Sequence, residues 1–326
     1  MNALVTGATG FTGGHLARRL HAAGDRVRVI ARDSSHATDL ARIGIEVVPG
    51  DLTDRESLLR AAAGMDVIYN IGALYRAASL KASAYRAVNA DAVVTLIECA
   101  KAAGVRRVVH CSTVGVHGDI EHPPANEDAP MRPGDVYQET KLLGEQLGRE
   151  AAARTGVELV IARPSGIYGP GDRRLLKLFG AVARGRFLFL GNGRIFYHLT
   201  HVDDLCDGFR LCATVPGAAG RTYILAGGEV TTLNELVALT SDIARVPPPR
   251  RHWPVWPFWA AGAACEALCA PFGIEPPIFR RRVDFFTKSR AFDISRARAE
   301  LGFAPRVSLR EGIGRTLEWY REHGWI

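Results

Sequence analysis

Apolar and polar positions follow two rhythms along the first two thirds of the chain. Short apolar, β-branched runs recur at Ala3-Leu4-Val5, Val27 to Ala31, Ile45 to Val48, Asp66 to Ile71, Arg107 to Cys111 and Leu159 to Ala162. Stretches with helical spacing lie between them: Gly13 to Ala23, Arg55 to Ala63, Ala84 to Ala103 and Tyr137 to Thr155. Runs that are apolar throughout mark strands covered on both faces, and their alternation with helices predicts βαβ units. The pattern therefore predicts an α/β fold, a doubly wound parallel sheet over residues 1–168, with segments near 196–230 returning to it. After residue 168 Pro and Gly become denser, and Pro247-Pro248-Pro249 reads as a turn or linker. A smaller α+β substrate domain is expected over 169–326. It contains a Trp-, Phe- and Pro-rich stretch at 253–279 and a closing helix from Leu309 to His323.

Composition narrows the class. The chain has 326 residues, 47% of them hydrophobic and 23% charged, an ordinary globular mix that excludes a disordered chain, a collagen or a coiled coil. The net charge of +7 suits an anionic ligand, a phosphate-bearing cofactor or an acidic membrane surface. No basic block interleaved with aromatics points to nucleic acid, and Arg280-Arg281-Arg282 reads as a solvated face. The six cysteines form no CxxC and no zinc spacing, so reduced thiols and no metal site are expected. Met1 runs straight into a strand with no basic-then-apolar leader, and no apolar stretch of about 20 residues occurs. A cytoplasmic protein is expected, with peripheral membrane contact through residues 251–282 as its one route to lipid.

Two local patterns carry chemistry. Thr6-Gly7-Ala8-Thr9-Gly10-Phe11-Thr12-Gly13 follows the first strand and opens the first helix. In that context Gly7 permits the tight turn, Gly10 lets backbone approach a pyrophosphate, and Gly13 lets helix and strand pack closely. The phosphates would sit on free N–H groups at the helix N-terminus. A Rossmann-type dinucleotide site follows from this. The second strand ends Ala31-Arg32-Asp33. Arg32 there suits a 2′-phosphate and so NADP; Asp33, one residue later, keeps NAD open through the ribose 2′-OH.

The second pattern is Ser112-Thr113 at the end of the fifth strand, followed by Tyr137-Gln138-Glu139-Thr140-Lys141. Tyr and Lys at i and i+4 share one helix face. A lysine charge beside the phenol lowers its pKa, so that Tyr137 takes or gives an alcohol proton while the Thr113 hydroxyl holds the same oxygen. This set suits hydride transfer at a secondary alcohol or ketone.

Together these residues resemble the extended short-chain dehydrogenases/reductases of the NAD-dependent epimerase/dehydratase type, over essentially the whole chain. The resemblance places the glycine motif on Gly7, Gly10 and Gly13, the adenine-contacting acid on Asp51 and the structural Asn on Asn89. Val116-His117-Gly118 stands where the family has Val-Tyr-Gly, and Gly72 stands in a segment that commonly has paired alanines. Arg163-Pro164, Tyr168-Gly169-Pro170 and His201-Val202-Asp203-Asp204 match later motifs. The resemblance implies Thr113, Tyr137 and Lys141 as catalytic residues. It implies a cofactor wall of Gly7, Thr9, Gly10, Phe11, Gly13, Arg32, Asp51, Leu52, Ile71, Gly72, Ala73, Asn89, Lys141 and Pro164, with His117, Ser165, Arg194 and Tyr197 toward the substrate. It also implies a homodimer.

Substrate class is divided. Nucleotide-sugar epimerases that this chain resembles hold the diphosphate with an Arg four residues before the His of His-Val-Asp-Asp; here that position is Tyr197, with Arg194 nearby. The C-terminal half is more similar to the 3β-hydroxysteroid dehydrogenase and dihydroflavonol reductase side. Trp253 to Trp259, with Phe272 and Phe279 beyond, suits an apolar 3-hydroxy or 3-oxo substrate, sterol-like, flavonoid-like or long-chain acyl. A nucleotide-sugar 4-epimerase or dehydratase stays open as the alternative, and a non-catalytic cofactor-binding regulator as a minor one.

Overall fold

A computed structural model describes residues 1–75, 80–269 and 283–326. Seven strands form one parallel sheet: β1 (Asn2–Thr6), β2 (Arg26–Ala31), β3 (Glu46–Pro49), β4 (Val67–Asn70), β5 (Arg107–Cys111), β6 (Glu158–Pro164) and, after a long excursion, β10 (Thr222–Leu225). Their order is β10-β6-β5-β4-β1-β2-β3, the doubly wound topology whose strand order reverses beside β1. The two-residue alternation of a strand explains the two cores. Ala3 and Val5 point to one face and join Leu16, Leu20, Leu205 and Phe209 from helices Phe11–Ala22 and Val202–Thr214. Leu4 points to the other and joins Leu58, Val93, Leu96, Ile97 and Ala151.

The six early strands and their helices lie within one or two residues of the sequence expectation, with two instructive differences. The stretch expected as one helix over Ala84 to Ala103 is Ala82–Arg86, a single π turn at Ala87–Asp91, and Ala92–Ala102. The wide turn carries Asn89, whose side chain bonds both N–H and C=O of Leu74 (2.9 and 3.0 Å) and Thr140 Oγ1 (3.2 Å). A π turn of this kind marks a place where helix regularity yields to another demand. The second difference is a set of short strands that periodicity did not reveal: β7 (Gly166–Tyr168), β8 (Phe189–Leu190), β9 (Phe196–His201), β11 (Val230–Thr232) and β12 (His252–Trp253). β9 lies between β7, parallel, and β11, antiparallel. They join helices Leu176–Ala183, Leu233–Ala244 and Leu309–Glu322 around a third core that includes Phe179, Tyr197, Leu236, Ile313 and Tyr320.

The apolar helix expected from Phe258 onward runs Trp256–Cys269. Pro257 sits in its first turn, where no intrahelical N–H bond is lost. Gly262 is its one buried residue, whereas Trp256 is 72% and Trp259 50% exposed. Phe272, Phe279 and Arg280 to Arg282 lie outside the described residues, as does all of 270–282 in the stretch 251–282 expected to meet a membrane. No helix among the described residues is long and apolar enough to cross one.

Helix Val136–Thr155 crosses the π-turn helix at Gly144, where a Cβ would lie 2.2 Å from Asn89 O. This close approach sets where the Tyr137 end of the helix meets the sheet. Gly144→Val should therefore cost about 1–3 kcal/mol through overpacking, seen as a lower urea midpoint. An unchanged midpoint would show that the crossing relaxes freely.

Candidate active site

One cavity of about 790 Å³ opens over the C-terminal ends of β1, β2, β4, β5 and β6. Its floor is the glycine turn. Gly7 has φ of +68°, and a Cβ there would lie 2.6 Å from Gly72 Cα; a Cβ on Gly13 would lie 2.3 Å from Gly7 O. Only glycine admits both approaches. Gly10 caps helix Phe11–Ala22 without a side chain, and no acid stands in the first turn, so the first N–H groups face the cavity open to an anion. The Ser165 hydroxyl, on the wall beside Pro164, is buried without a hydrogen-bond partner among the described residues. A glycine-floored helix terminus and a polar wall of this kind fit a dinucleotide.

Gly7, Thr9, Gly10, Phe11, Gly13, Arg32, Asp51, Leu52, Ile71, Gly72, Ala73 and Pro164 all line this cavity. Arg32 stands at its rim with a 77% exposed side chain, 3.8 Å from Asp51. Asp51 accepts from Thr53 N and Oγ1, and these hydrogen bonds outweigh partial burial and hold its carboxyl below the usual range. Asp33 is not in the lining; it caps the following turn by accepting from Ser35 N.

At the far end Thr113 and Tyr137 line the cavity together with Ser165 and Tyr197. Thr113 Oγ1 accepts from Gly115 N at 3.0 Å, which leaves its own proton to donate outward. The Tyr137 ring meets Tyr75 edge-on at 4.9 Å. Lys141 is 1% exposed and lies behind the lining, with Nζ 3.4 Å from His110 Nε2. Burial pulls its pKa down, opposed by Cys111 and Glu145. Cys111, on the same wall, is pushed up to about 11 by burial.

Several expected contacts are placed elsewhere. His117 is buried away from the lining: its Nε2 bonds Arg163 at 3.1 Å and its Nδ1 bonds Ala129 O at 3.1 Å. Arg163 needs that network because it and Glu145, 1% and 2% exposed, form a buried ion pair, and Ser112 Oγ donates to the same carboxylate. Arg194 is exposed outside the lining, with its backbone N–H on Asn192. Asn89 acts on the cavity only through the Leu74 backbone it holds. The Trp253 to Trp259 segment does not line the cavity. Its aromatic wall comes from Tyr75, Tyr197, Phe285 and Phe292, of which only Tyr197 had a sequence motif to flag it. Tyr197 donates its hydroxyl to Phe285 O, so it braces that wall. Lys288 and Arg290 line the cavity as well, and Arg174 stands over the Phe11 ring, 5.5 Å from its centroid, paired with Asp172 at 3.0 Å. His110 stands in β5 directly after apolar Val108 and Val109, and that imidazole was the one available signal for it. No group of three metal-ligating side chains occurs among the described residues.

Comparisons with known proteins agree with this geometry. The model of the NAD-dependent epimerase/dehydratase family matches residues 3–226. The chain is 31% identical to the 2-alkyl-3-oxoalkanoate reductase of Stenotrophomonas maltophilia, covering 97% of this chain and 98% of that one. It is also 31% identical to the sterol demethylase protein B of Methylococcus capsulatus, covering 100% of both. It superposes at a TM-score of 0.78 on DesIV of Streptomyces venezuelae, a dTDP-glucose 4,6-dehydratase solved with NAD bound, at 28% identity over 100% of this chain and 98% of that one. With its glycine floor, its Tyr137 and Lys141 and its doubly wound sheet, this chain belongs to the NAD-dependent epimerase/dehydratase family and is an enzyme of the extended short-chain dehydrogenase/reductase type.

Proposed function

We propose that this enzyme interconverts a ketone and a secondary alcohol on an apolar 3-oxo or 3-hydroxy substrate, with NADP as the preferred cofactor. The observation that carries the reading is the apolar lining of the cavity that Tyr137 enters: Tyr75 meets its ring edge-on, Ile167, Leu175, Leu199, Phe285 and Phe292 line the same cavity, and Tyr197 stands where diphosphate-binding relatives would have Arg. Bound nicotinamide supplies or receives the hydride. In the reductive direction Tyr137 gives its phenolic proton to the ketone oxygen; in the oxidative direction it takes the alcohol proton. Thr113 donates its remaining hydrogen bond to the same oxygen and so fixes the reacting carbon. Lys141 stabilises the tyrosinate by its charge from behind the wall, out of reach of solvent. The aromatic wall excludes water and strengthens each of these interactions.

The 3-oxoalkanoate reductase and the sterol enzyme among the relatives support an apolar carbonyl substrate. The exposed, cavity-facing Arg32 and the engaged Asp33 support a 2′-phosphate. A nucleotide-sugar reading is favoured by one observation, the positively charged Arg174, Lys288 and Arg290 in the cavity lining.

Tyr137→Phe should lower turnover by about 10²–10⁴ while cofactor binding, read by fluorescence titration, survives; turnover within twofold of wild type removes Tyr137 from the role. Arg32→Ala should weaken NADPH binding far more than NADH binding, because it removes a charge-assisted contact that only the 2′-phosphate makes. Equal weakening of both would return the cofactor to NAD. Thermal unfolding with cofactor present separates the substrate classes. Sterol-like or long-chain 3-oxo compounds should raise the unfolding temperature and uridine diphosphate sugars should not; the reverse result establishes the nucleotide-sugar reading, with Arg174, Lys288 or Arg290 on the diphosphate.

A further inference from the structure

Behind the cavity wall four buried side chains from four elements form one hydrogen-bonded chain. Lys141 Nζ lies 3.4 Å from His110 Nε2, and His110 Nδ1 lies 3.1 Å from Asn70 Nδ2. Thr6 Oγ1 bonds Asn70 Oδ1 at 2.9 Å and accepts from Gly72 N at 3.0 Å. Lys141, His110, Asn70 and Thr6 are each at most 3% exposed. Gly72 is the residue whose backbone packs against Gly7. The chain thus joins the lysine at the reacting end of the cavity to the turn at its phosphate end.

The charges around it are few. Glu145, the carboxylate nearest the lysine, is occupied by both arms of Arg163. Cys111 is the other titratable neighbour, and burial keeps its thiol protonated. The group facing His110 from the helix is Lys141 and from β4 is Asn70. Burial first, then the lysine charge, keeps the imidazole well below its ordinary pKa and hence neutral. An ammonium this deeply buried needs an acceptor or it gives up its proton. His110 Nε2 supplies that lone pair when the ring proton sits on Nδ1, with the Asn70 amide turned to accept it.

We propose that His110 is a positioning residue for the reaction: its neutral imidazole seats Lys141 as an ammonium and, through Asn70 and Thr6, couples it to the glycine turn. The polarity of the chain follows the lysine. When Lys141 is charged it donates to Nε2, so Nδ1 carries the ring proton and donates to the Asn70 amide oxygen, whose NH2 then turns to Thr6. When Lys141 is neutral the order reverses and is the one this structure holds: Thr6 donates to Asn70 Oδ1, Asn70 Nδ2 to Nδ1, and Nε2–H to the amine. His110 touches neither substrate nor cofactor. It acts on Tyr137 only by keeping the lysine charge in place, so the inference rests on the reading of Tyr137 and Lys141 above.

The test uses the purified full chain and three variants, His110→Gln, His110→Asn and His110→Phe, with rate against pH in the oxidative direction. A glutamine amide reaches the Nε2 position and keeps an acceptor for Lys141; an asparagine amide reaches only the Nδ1 position. Without the acceptor the ammonium is destabilised, the tyrosine loses the charge that lowers its pKa, and the limb of the profile that needs tyrosinate moves to higher pH. His110→Asn and His110→Phe should move it up by about one unit, with about a tenfold loss of kcat at neutral pH, while KM for the cofactor changes little. His110→Gln should restore most of both. If His110→Phe does not fold, the Gln and Asn pair still decides. Variants that fold with the limb unmoved, or Gln and Asn that lose rate equally at an unchanged profile, overturn the inference. Tyr137→Phe measured alongside separates the two levels: if it retains turnover, the catalytic reading itself has failed.

Discussion

The site is built where backbone meets backbone at the end of β1. Gly7 turns the chain with a left-handed φ, the space its side chain would need is filled by the Ile71–Gly72 backbone, and the space a Gly13 side chain would need, in the first turn of helix Phe11–Ala22, is filled by the Gly7 carbonyl. Because these three glycines interlock, the helix N-terminus points its unpaired N–H groups into the cavity rather than into solvent. The sixty-five-residue separation of Gly7 and Gly72 is bridged by β1 and β4 lying side by side. The binding of an anion here is thus a consequence of sheet order: a strand permutation that separated β1 from β4 would leave the glycine motif without its floor.

A second constraint is electrostatic. Helix Val136–Thr155 brings two charged side chains, Lys141 and Glu145, under the cavity, one turn apart and almost wholly dry. Each is matched differently. Glu145 meets the fork of Arg163, the bidentate arrangement in which a buried carboxylate is best compensated. Lys141 meets a neutral imidazole, which compensates it only in part, and so remains responsive to what enters the cavity in front of it. The same helix therefore carries a locked pair that holds the frame and a softer contact that serves chemistry. His117 belongs to the locked pair, which explains how a histidine stands where relatives have tyrosine without reaching the cavity.

Much of this was legible in the residues. The Thr6 to Gly13 string after an apolar run, the Tyr137 and Lys141 spacing, and Thr113 at a strand end each depend on local geometry: a tight turn, a helix face, a strand terminus. Periods of 2 and 3.6 place such residues without knowledge of distant contacts, so the parallel sheet and the glycine turn could be read directly, whereas Asp51, Ile71, Gly72, Ala73 and Pro164 of the cavity wall rested on the family resemblance. His117, Arg194 and the Trp253 to Trp259 segment could not be placed the same way. Their positions depend on side-chain direction and on which short strands pair in the C-terminal part, where runs of two to six residues carry little periodic signal.

The order of chemistry along the chain, glycine turn, Thr113, then Tyr137 and Lys141, is a property of sequence, because each motif is completed within one strand–turn–helix unit. The aromatic wall of Tyr75, Tyr197, Phe285 and Phe292, and the chain from Lys141 through His110 and Asn70 to Thr6, belong to the tertiary structure alone. Asn70 and His110 are forty residues apart yet adjacent on β4 and β5 in parallel register, and Phe285 meets Tyr197 across eighty-eight positions. Local propensity says nothing about such pairs. They come into contact only when burial of two apolar sheet faces fixes the strand order, and the polar groups carried inside must then find one another because no water is there to satisfy them.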